Sequence, residues 1–222
     1  MLNNDSDMQD FSIKKLSEND HLFSLDQNDR RNNAMILKNF GNRWSIYALG
    51  YKEGADLLVN DIQEGKGTID FLVYPIMFLY RHYLELTIKN LLRRASYLLD
   101  VRLDDKLENH NLNHYWNLLR PLLERVSPID DSLHELEHIG RLIAEFSEQD
   151  KNSFAFRYPE SKQDNEGKRL PTLNKLEVFN ICGVQEIMGK VSSLFDGIEG
   201  KINEDSAIKA DMMDDFGFQD IY

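Results

Sequence analysis

The sequence contains very little cysteine and no long hydrophobic run. Cys182 is the single cysteine among 222 residues, so an internal disulfide is excluded and a reducing compartment is the simpler expectation. The longest uncharged apolar run covers residues 71–80, which is too short to span a bilayer. The N-terminal residues include no apolar signal segment. We therefore expect a cytoplasmic chain without a membrane partner.

Basic side chains are also scarce. The chain has 26 Lys and Arg against 38 Asp and Glu, a formal net charge of −12. A field of this sign repels phosphate backbones, so the bulk charge does not support non-specific nucleic-acid binding, and we predict no DNA partner. Local basic patches are still compatible with RNA or a nucleotide. The hydrophobic content of 41% is sufficient for a folded core.

The best-known catalytic motifs are absent as well. The sequence has no P-loop, no G-x-G-x-x-G, no G-x-S-x-G and no C-x-x-C. Cys182, beside Ile181 in the middle of an expected helix, is interpreted as a small buried residue rather than a nucleophile. No cofactor is therefore predicted.

What the sequence does contain is apolar residues at three- and four-residue steps, with no strand pattern and no repeat. This periodicity predicts an all-α bundle of about five main helices. The bundle domain is expected over residues 29–200, between a polar N-terminal segment (1–28) and an acidic tail (201–222). A loop is expected over residues 149–172. The expected helices cover residues 30–64, 70–99, 112–126, the stretch from about 129 to 148, and 173–200.

The segment HELEH, His134 to His138, fits the zinc-hydrolase pattern H-E-x-x-H. On a helical wheel both histidines lie opposite the apolar stripe, and no strand or downstream histidine accompanies them. We therefore interpret them as a solvated helix face, with contact to another subunit as the alternative. A second pair, His110 and His114, leaves a metal site between two helices as a further alternative, but no metal is assigned.

The second expected helix changes character along its length. Its first half, FLVYPIMFLY, is apolar all round, which predicts burial on every side. Arg81, Glu85 and Lys89 then follow at i, i+4 and i+8. They form either a solvated stripe of ion pairs or a site where a partly buried guanidinium binds a carboxylate or a phosphate.

Two further segments carry candidate residues. His110 lies near the start of the third helix, where Asn109 or Asn111 can cap and where anions are attracted; it could also be only a polar capping neighbour. Arg157 lies among aromatics in FAFRYP, residues 154–159. Those aromatics either fix Arg157 against the bundle or serve only as a loop anchor.

Four motifs occur in a recognisable order: W-x-x-Y-A-x-G-Y-K-x-x-A-D-x-L from Trp44 to Leu58, then FLVYPIMFLYRHYLELTIK, HNLNHYWNLLRPL and FAFRYP. Over about residues 40–180 the chain resembles a bacterial group of helical proteins that is similar to the HEPN superfamily. The resemblance implies a dimer-forming helical bundle, often encoded in defence or toxin–antitoxin systems. It also implies that many members cut RNA without a metal.

The catalytic motif of that superfamily, an arginine followed by a histidine after four to six residues, is missing here. Arg81 is followed at once by His82, and seven residues separate Arg102 from His110. The family's ribonuclease activity is therefore carried over only if other residues replace the motif.

A spatial substitute is our candidate site: Arg81 and Arg157 hold a phosphate, Glu85 belongs to the same site, and His110 transfers protons. The function expected is a metal-independent ribonuclease or a nucleotide-binding protein. The alternative is a non-catalytic interaction module that binds a partner protein through the acidic tail, Asp211 to Tyr222.

Overall fold

The computed structural model describes residues 15–36, 41–104, 107–127 and 130–215. Within these ranges the chain forms five α-helices and no strand; one isolated antiparallel bridge joins Glu160 to Pro171. This confirms the predicted all-α bundle of about five main helices. The helices are α1 (Arg43–Gln63), α2 (Ile69–Leu98), α3 (Leu112–Val126), α4 (Asp130–Gln149) and α5 (Ile181–Asp215).

The chain divides into two compact units, Met1–Phe40 and Gly41–Tyr222. The described part of the first unit contains a short 3-10 helix, Arg30–Asn32, whose cap Asp29 accepts a hydrogen bond from the Arg31 amide. The sequence predicted that a long helix begins at residue 30, and this prediction was wrong: residues 33–36 are not helical and α1 begins at Arg43. Leu37 and Phe40, which were assigned to that helix, lie outside the described residues.

The second unit begins with the start signal of α1. Gly41 has a positive φ of 24°, a conformation that favours glycine and that is not α-helical, so no helix continues through this residue into α1. The Asn42 side chain then caps α1 by accepting a hydrogen bond from the Trp44 amide at 3.2 Å. The strong cap explains why the helix begins at Arg43 rather than at residue 30.

The last helix also begins later than its apolar pattern predicted. The Asn180 side chain accepts hydrogen bonds from the amides of Cys182 and Gly183, at 3.1 and 3.2 Å, and so defines the N-terminus of α5. Leu173 and the other apolar residues before Asn180 pack on the core from a loop instead. Cys182 is therefore half-buried in the first turn of α5, and the prediction of a buried mid-helix cysteine was wrong.

The other end of α5 extends beyond residue 200 to Asp215, so the first part of the expected acidic tail is helical. Residues 216–222 lie outside the described part of the chain. None of the helices in the described ranges has the length and hydropathy needed to cross a membrane.

Helix α2 is the centre of the bundle, since it packs against α1, α3 and α5, while α4 packs on α3. At the α3–α4 contact Gly140 is required by space: a Cβ there would lie 2.8 Å from Nε1 of Trp116. The buried core is contributed by all five helices; its α2 members include Ile76, Tyr80, Tyr83, Leu84, Ile88, Leu91 and Leu92.

The first half of α2 is less buried than predicted, and the second half is more buried than either of its two alternatives required. In the apolar first half Phe71 is 75% exposed and Tyr74 is about half exposed, so burial on every side was wrong there. A run that is apolar all round has no polar face, and its sequence cannot show which side meets solvent. The charged second half, by contrast, is buried on most of its surface.

Candidate functional site

Four charged side chains come together inside the bundle. Arg81, Glu85 and Lys89 lie on one face of α2, and Asp150 follows the last turn of α4. All four are buried, and the Arg81 side chain is 0% exposed. We call these four residues the buried ion cluster. The sequence correctly predicted the i, i+4 pairs among the first three, but it did not predict their complete burial.

Every nitrogen of the Arg81 guanidinium has a partner. Nη1 donates to Oε2 of Glu85 at 2.9 Å, Nη2 donates to the carbonyl of His110 at 2.5 Å, and Nε donates to the carbonyl of Asp150 at 3.1 Å. Nε also lies 3.3 Å from Oδ2 of Asp150. Arg81 therefore connects α2 to the start of α3 and to the end of α4. A bound phosphate could reach it only if these contacts opened.

Glu85 and Lys89 complete the cluster. Lys89 Nζ donates to Oε1 of Glu85 and to the carbonyl of Asn109, both at 2.8 Å, and lies 4.8 Å from the centre of the Tyr115 ring. Burial by itself raises the pKa of Glu85, but hydrogen bonds and charges from Lys89 and His110 outweigh it and hold that pKa below its ordinary value. Two cations thus balance two carboxylates, the condition under which charges can be buried.

Asp150 is a residue that the sequence analysis missed. Its Oδ1 accepts hydrogen bonds from the amides of Phe154 and Ala155, at 2.6 and 3.0 Å, and so shapes the loop that carries FAFRYP. Its Oδ2 accepts no hydrogen bond from the described residues and faces Nε of Arg81. The sequence feature that could have indicated this role is the position of Asp150, directly after a helix and before a turn, where aspartate often accepts hydrogen bonds from backbone amides.

His110 lies at the surface edge of the cluster. Its side chain is 50% exposed, and its Nδ1 lies 2.8 Å from Oε1 of Glu85. An ionised carboxylate can only accept, so Nδ1 carries a proton and donates it to Glu85, and Nε2 is the ring nitrogen left for another partner. Asn111, rather than Asn109, caps α3 by accepting a hydrogen bond from the His114 amide. His110 is therefore fixed immediately before a helix N-terminus.

Arg157 is held at the surface by aromatic rings. Its guanidinium carbon lies 5.6 Å from the ring centres of both Phe78 and Tyr158, and its Nε donates to the carbonyl of Ser153 at 2.5 Å. Phe156, in the same loop, is buried in the core. The aromatics thus fix Arg157 against the bundle, as one of the two alternatives predicted. Within the described ranges no carboxylate pairs with Arg157.

His82 is a second histidine that the sequence analysis did not assign to the site. Its ring packs edge-on against Tyr51 and stacks on Phe78, with ring centres 4.4 and 5.7 Å apart. Burial lowers the pKa of His82, the charges of Arg81 and His110 lower it further, and Glu85 acts in the opposite direction. His82 is therefore neutral near pH 7 and carries an acceptor nitrogen. The sequence signal that could have indicated this packing is Phe78, which precedes His82 by one helical turn.

Three of the four predicted residues, Arg81, Glu85 and His110, are in direct contact. Arg157 does not contact them, but it reaches the same helix through Phe78, one turn before His82. His134 and His138 are exposed on α4, as predicted. In the described part of the chain no three His, Cys, Asp or Glu side chains are grouped as metal ligands. The catalytic roles of the four residues stay predictions.

Comparison with known proteins yields no match. No family model, no curated protein and no solved structure is significantly similar to the chain. Function is therefore inferred from the geometry of the residues described above.

Proposed function

We propose that this chain is a HEPN-like helical protein of the bacterial defence or toxin–antitoxin type, and that it cleaves RNA without a metal. The observation that supports the proposal most directly is the pair formed by His110 and Glu85. A buried, ionised carboxylate fixes the imidazole and its tautomer, and the other ring nitrogen is left for a substrate.

In such a reaction two histidines transfer protons and one arginine binds the phosphate. His82, held neutral, takes the proton of the ribose 2′-hydroxyl as its oxygen attacks phosphorus. His110 enters the reaction as an imidazolium whose charge Glu85 balances; as the bond from phosphorus to the 5′-oxygen breaks, His110 gives that oxygen its Nε2 proton and becomes neutral. Arg157 offers its two terminal nitrogens to the phosphate. The products are a 2′,3′-cyclic phosphate and a 5′-hydroxyl.

Arg81 acts in this proposal as a positioning residue. It is buried and holds the carbonyl of His110 and the carboxylate of Glu85, so it sets where the imidazole lies. Glu85 has the same kind of role through the ring nitrogen. Replacing Glu85 with Gln removes the charge that stabilises the His110 imidazolium, so the basic limb of the pH–rate profile should move to lower pH, and a purely structural residue would not have that effect.

The test is RNA cleavage by the purified full chain in EDTA, on a panel of single-stranded and structured RNAs. His110→Asn should reduce cleavage at least about a hundredfold, the low end of what one proton-transfer group contributes. His138→Asn is the matched control, because His138 is also an exposed histidine, on α4, and this variant should cleave normally. Circular dichroism verifies that both variants are folded.

Intact RNA across the panel would contradict the ribonuclease and favour the alternative, a non-catalytic interaction module. One observation favours that alternative: the last turns of α5 expose Ile208, Met212 and Met213 beside acidic residues. In that case, deleting residues 205–222 should abolish capture of the partner protein. Unchanged cleavage by His110→Asn would instead assign the activity to other residues or to a contaminant.

A further inference from the structure

A second polar site lies toward the C-terminal end of α2, beyond Phe78 and His82. It is an open groove of about 890 Å³ between the N-terminus of α1, the last turns of α2 and the middle of α5. Arg43, Arg93 and Arg94 line it, against a single glutamate, Glu199, which gives the lining a net charge of +2. We call it the arginine groove. A positive groove is unusual in a chain whose net charge is −12.

Among the residues that the structure describes, a carboxylate neutralises only Arg94 of the three arginines. Arg94 donates to Oε1 of Glu199 at 2.5 Å and also bonds the Asn203 side chain. Arg43 and Arg93 pair with no carboxylate in the described part of the chain. Guanidinium groups that lack a carboxylate and line a shared groove bind phosphate well, because their planar donors match its oxygens.

The floor of the groove is a network of hydrogen-bonded side chains. Asn90 is buried, donates to the Ser45 hydroxyl at 3.1 Å and accepts from the Asn42 side chain at 2.9 Å. The Ser45 hydroxyl in turn donates to Glu199 at 2.9 Å. This network connects α1, α2 and α5, the three helices whose residues line the groove.

Aromatic rings accompany the positive charge. The Arg93 guanidinium lies 5.2 Å from the centre of the Trp44 ring. Tyr97, at the other side of the groove, is 74% exposed, with Lys209 Nζ 5.5 Å from its ring centre. Exposed aromatic rings beside cations are the pattern on which nucleobases stack while phosphates bind.

We propose that the arginine groove binds a nucleotide, with the phosphate on Arg43 and Arg93 and the base against Trp44 or Tyr97. The nucleotide is either free or part of an RNA strand. Arg93 follows His82 by eleven residues on nearly the same face of α2, about 16 Å along the helix. A strand of a few nucleotides could span that distance, but the groove shares no residue with the proposed catalytic site and does not depend on it.

Tryptophan fluorescence tests the proposal directly. The chain has two tryptophans; Trp116 is buried, so a change on titration reports on Trp44. AMP and an octa-adenylate RNA should quench the emission and saturate, and adenosine, which lacks the phosphate, should not. Titrating the His110→Asn chain keeps the RNA intact. Tighter binding of the RNA than of AMP indicates a strand; equal binding indicates a free nucleotide.

The double variant Arg43→Gln, Arg93→Gln should weaken binding at least tenfold. Arg141→Gln is the matched control, since Arg141 is an exposed arginine on α4, and its affinity should equal that of the native chain. Binding should also weaken as salt rises, because phosphate contacts release counterions. The proposal is overturned if no probe binds up to about 1 mM, if adenosine binds as tightly as AMP, or if the double variant binds normally.

Discussion

The two halves of α2 have opposite compositions and opposite environments. Residues 69–80 are almost entirely apolar, and yet Ile69, Phe71 and Tyr74 are exposed. Residues 81–98 contain five cationic or anionic side chains, and three of them, Arg81, Glu85 and Lys89, are buried. The same helix thus exposes apolar rings at one end and buries charges at the other.

This difference shows that burial along a helix is decided by what covers it. The charged half is covered by the segment at Asn109 and His110 and by Asp150, and these segments supply carbonyl and carboxylate oxygens to the cations. Buried charges are tolerated where each has a partner, whereas an exposed aromatic ring costs little. Substitutions in the two halves should therefore change the free energy of unfolding by very different amounts.

The largest effect is expected from Arg81→Ala. Removing the guanidinium breaks the ion pairs that Arg81 forms with Glu85 and with Asp150. Both carboxylates stay buried inside the bundle. Breaking one partner out of a buried ion pair typically costs about 3–5 kcal/mol of the free energy of unfolding. Urea denaturation followed by circular dichroism measures this quantity.

Arg141→Ala is the control for that measurement, since Arg141 is exposed on α4 and its loss should stay within about 0.5 kcal/mol. If Arg81→Ala changed the free energy of unfolding as little as Arg141→Ala does, the buried ion cluster would contribute no stability. The two halves of α2 would then differ in burial but not in their contribution to stability.

The fold was largely predictable because it depends on local signals. Apolar periodicity predicted the helices, and α3 has the bounds predicted for it because Asn111 caps it. The errors lie where a side-chain cap outweighs periodicity. Asn42 and Asn180 each begin a helix later than the apolar pattern does, since a cap satisfies amides that hydrophobic spacing ignores.

The candidate site was predictable only in part. The spacing of Arg81 and Glu85 indicated an ion pair, but the sequence could not show that the chain at His110 and Asp150 returns to cover it, because those contacts are between distant residues. His82 was missed for the same reason. Its environment depends on Tyr51, which belongs to another helix.

A smaller, pH-dependent effect is expected at His82, on the boundary between the two halves. Its pKa in the folded state is lowered from 6.5, mainly by burial, so the unfolded chain takes up a proton more readily. The stability that His82 contributes is complete above about pH 6.5 and is lost as the pH falls toward its folded pKa. One proton limits the slope to about 1.4 kcal/mol per pH unit.

His82→Phe should remove this part of the pH dependence while keeping an aromatic ring against Phe78 and Tyr51. The free energy of unfolding is measured in urea at pH 7.5, 6.0 and 5.0, and only the slopes are compared. Equal slopes for the native and variant chains would show that His82 protonates as easily in the bundle as in the unfolded chain.

The smallest effect is expected from Phe71→Ser, in the apolar half. A ring that is 75% exposed loses little burial when it is removed, so the free energy of unfolding should change by no more than about 0.5 kcal/mol. Serine and phenylalanine have similar helix propensities, so the substitution adds no propensity cost to the lost packing. The informative control is Ile76→Ser, five residues further on and fully buried, which should cost several times more. If Phe71→Ser proved as damaging as Ile76→Ser, the exposed ring would have to be covered in solution, for example by a second copy of the chain, and the stability of the native protein would then rise with its concentration.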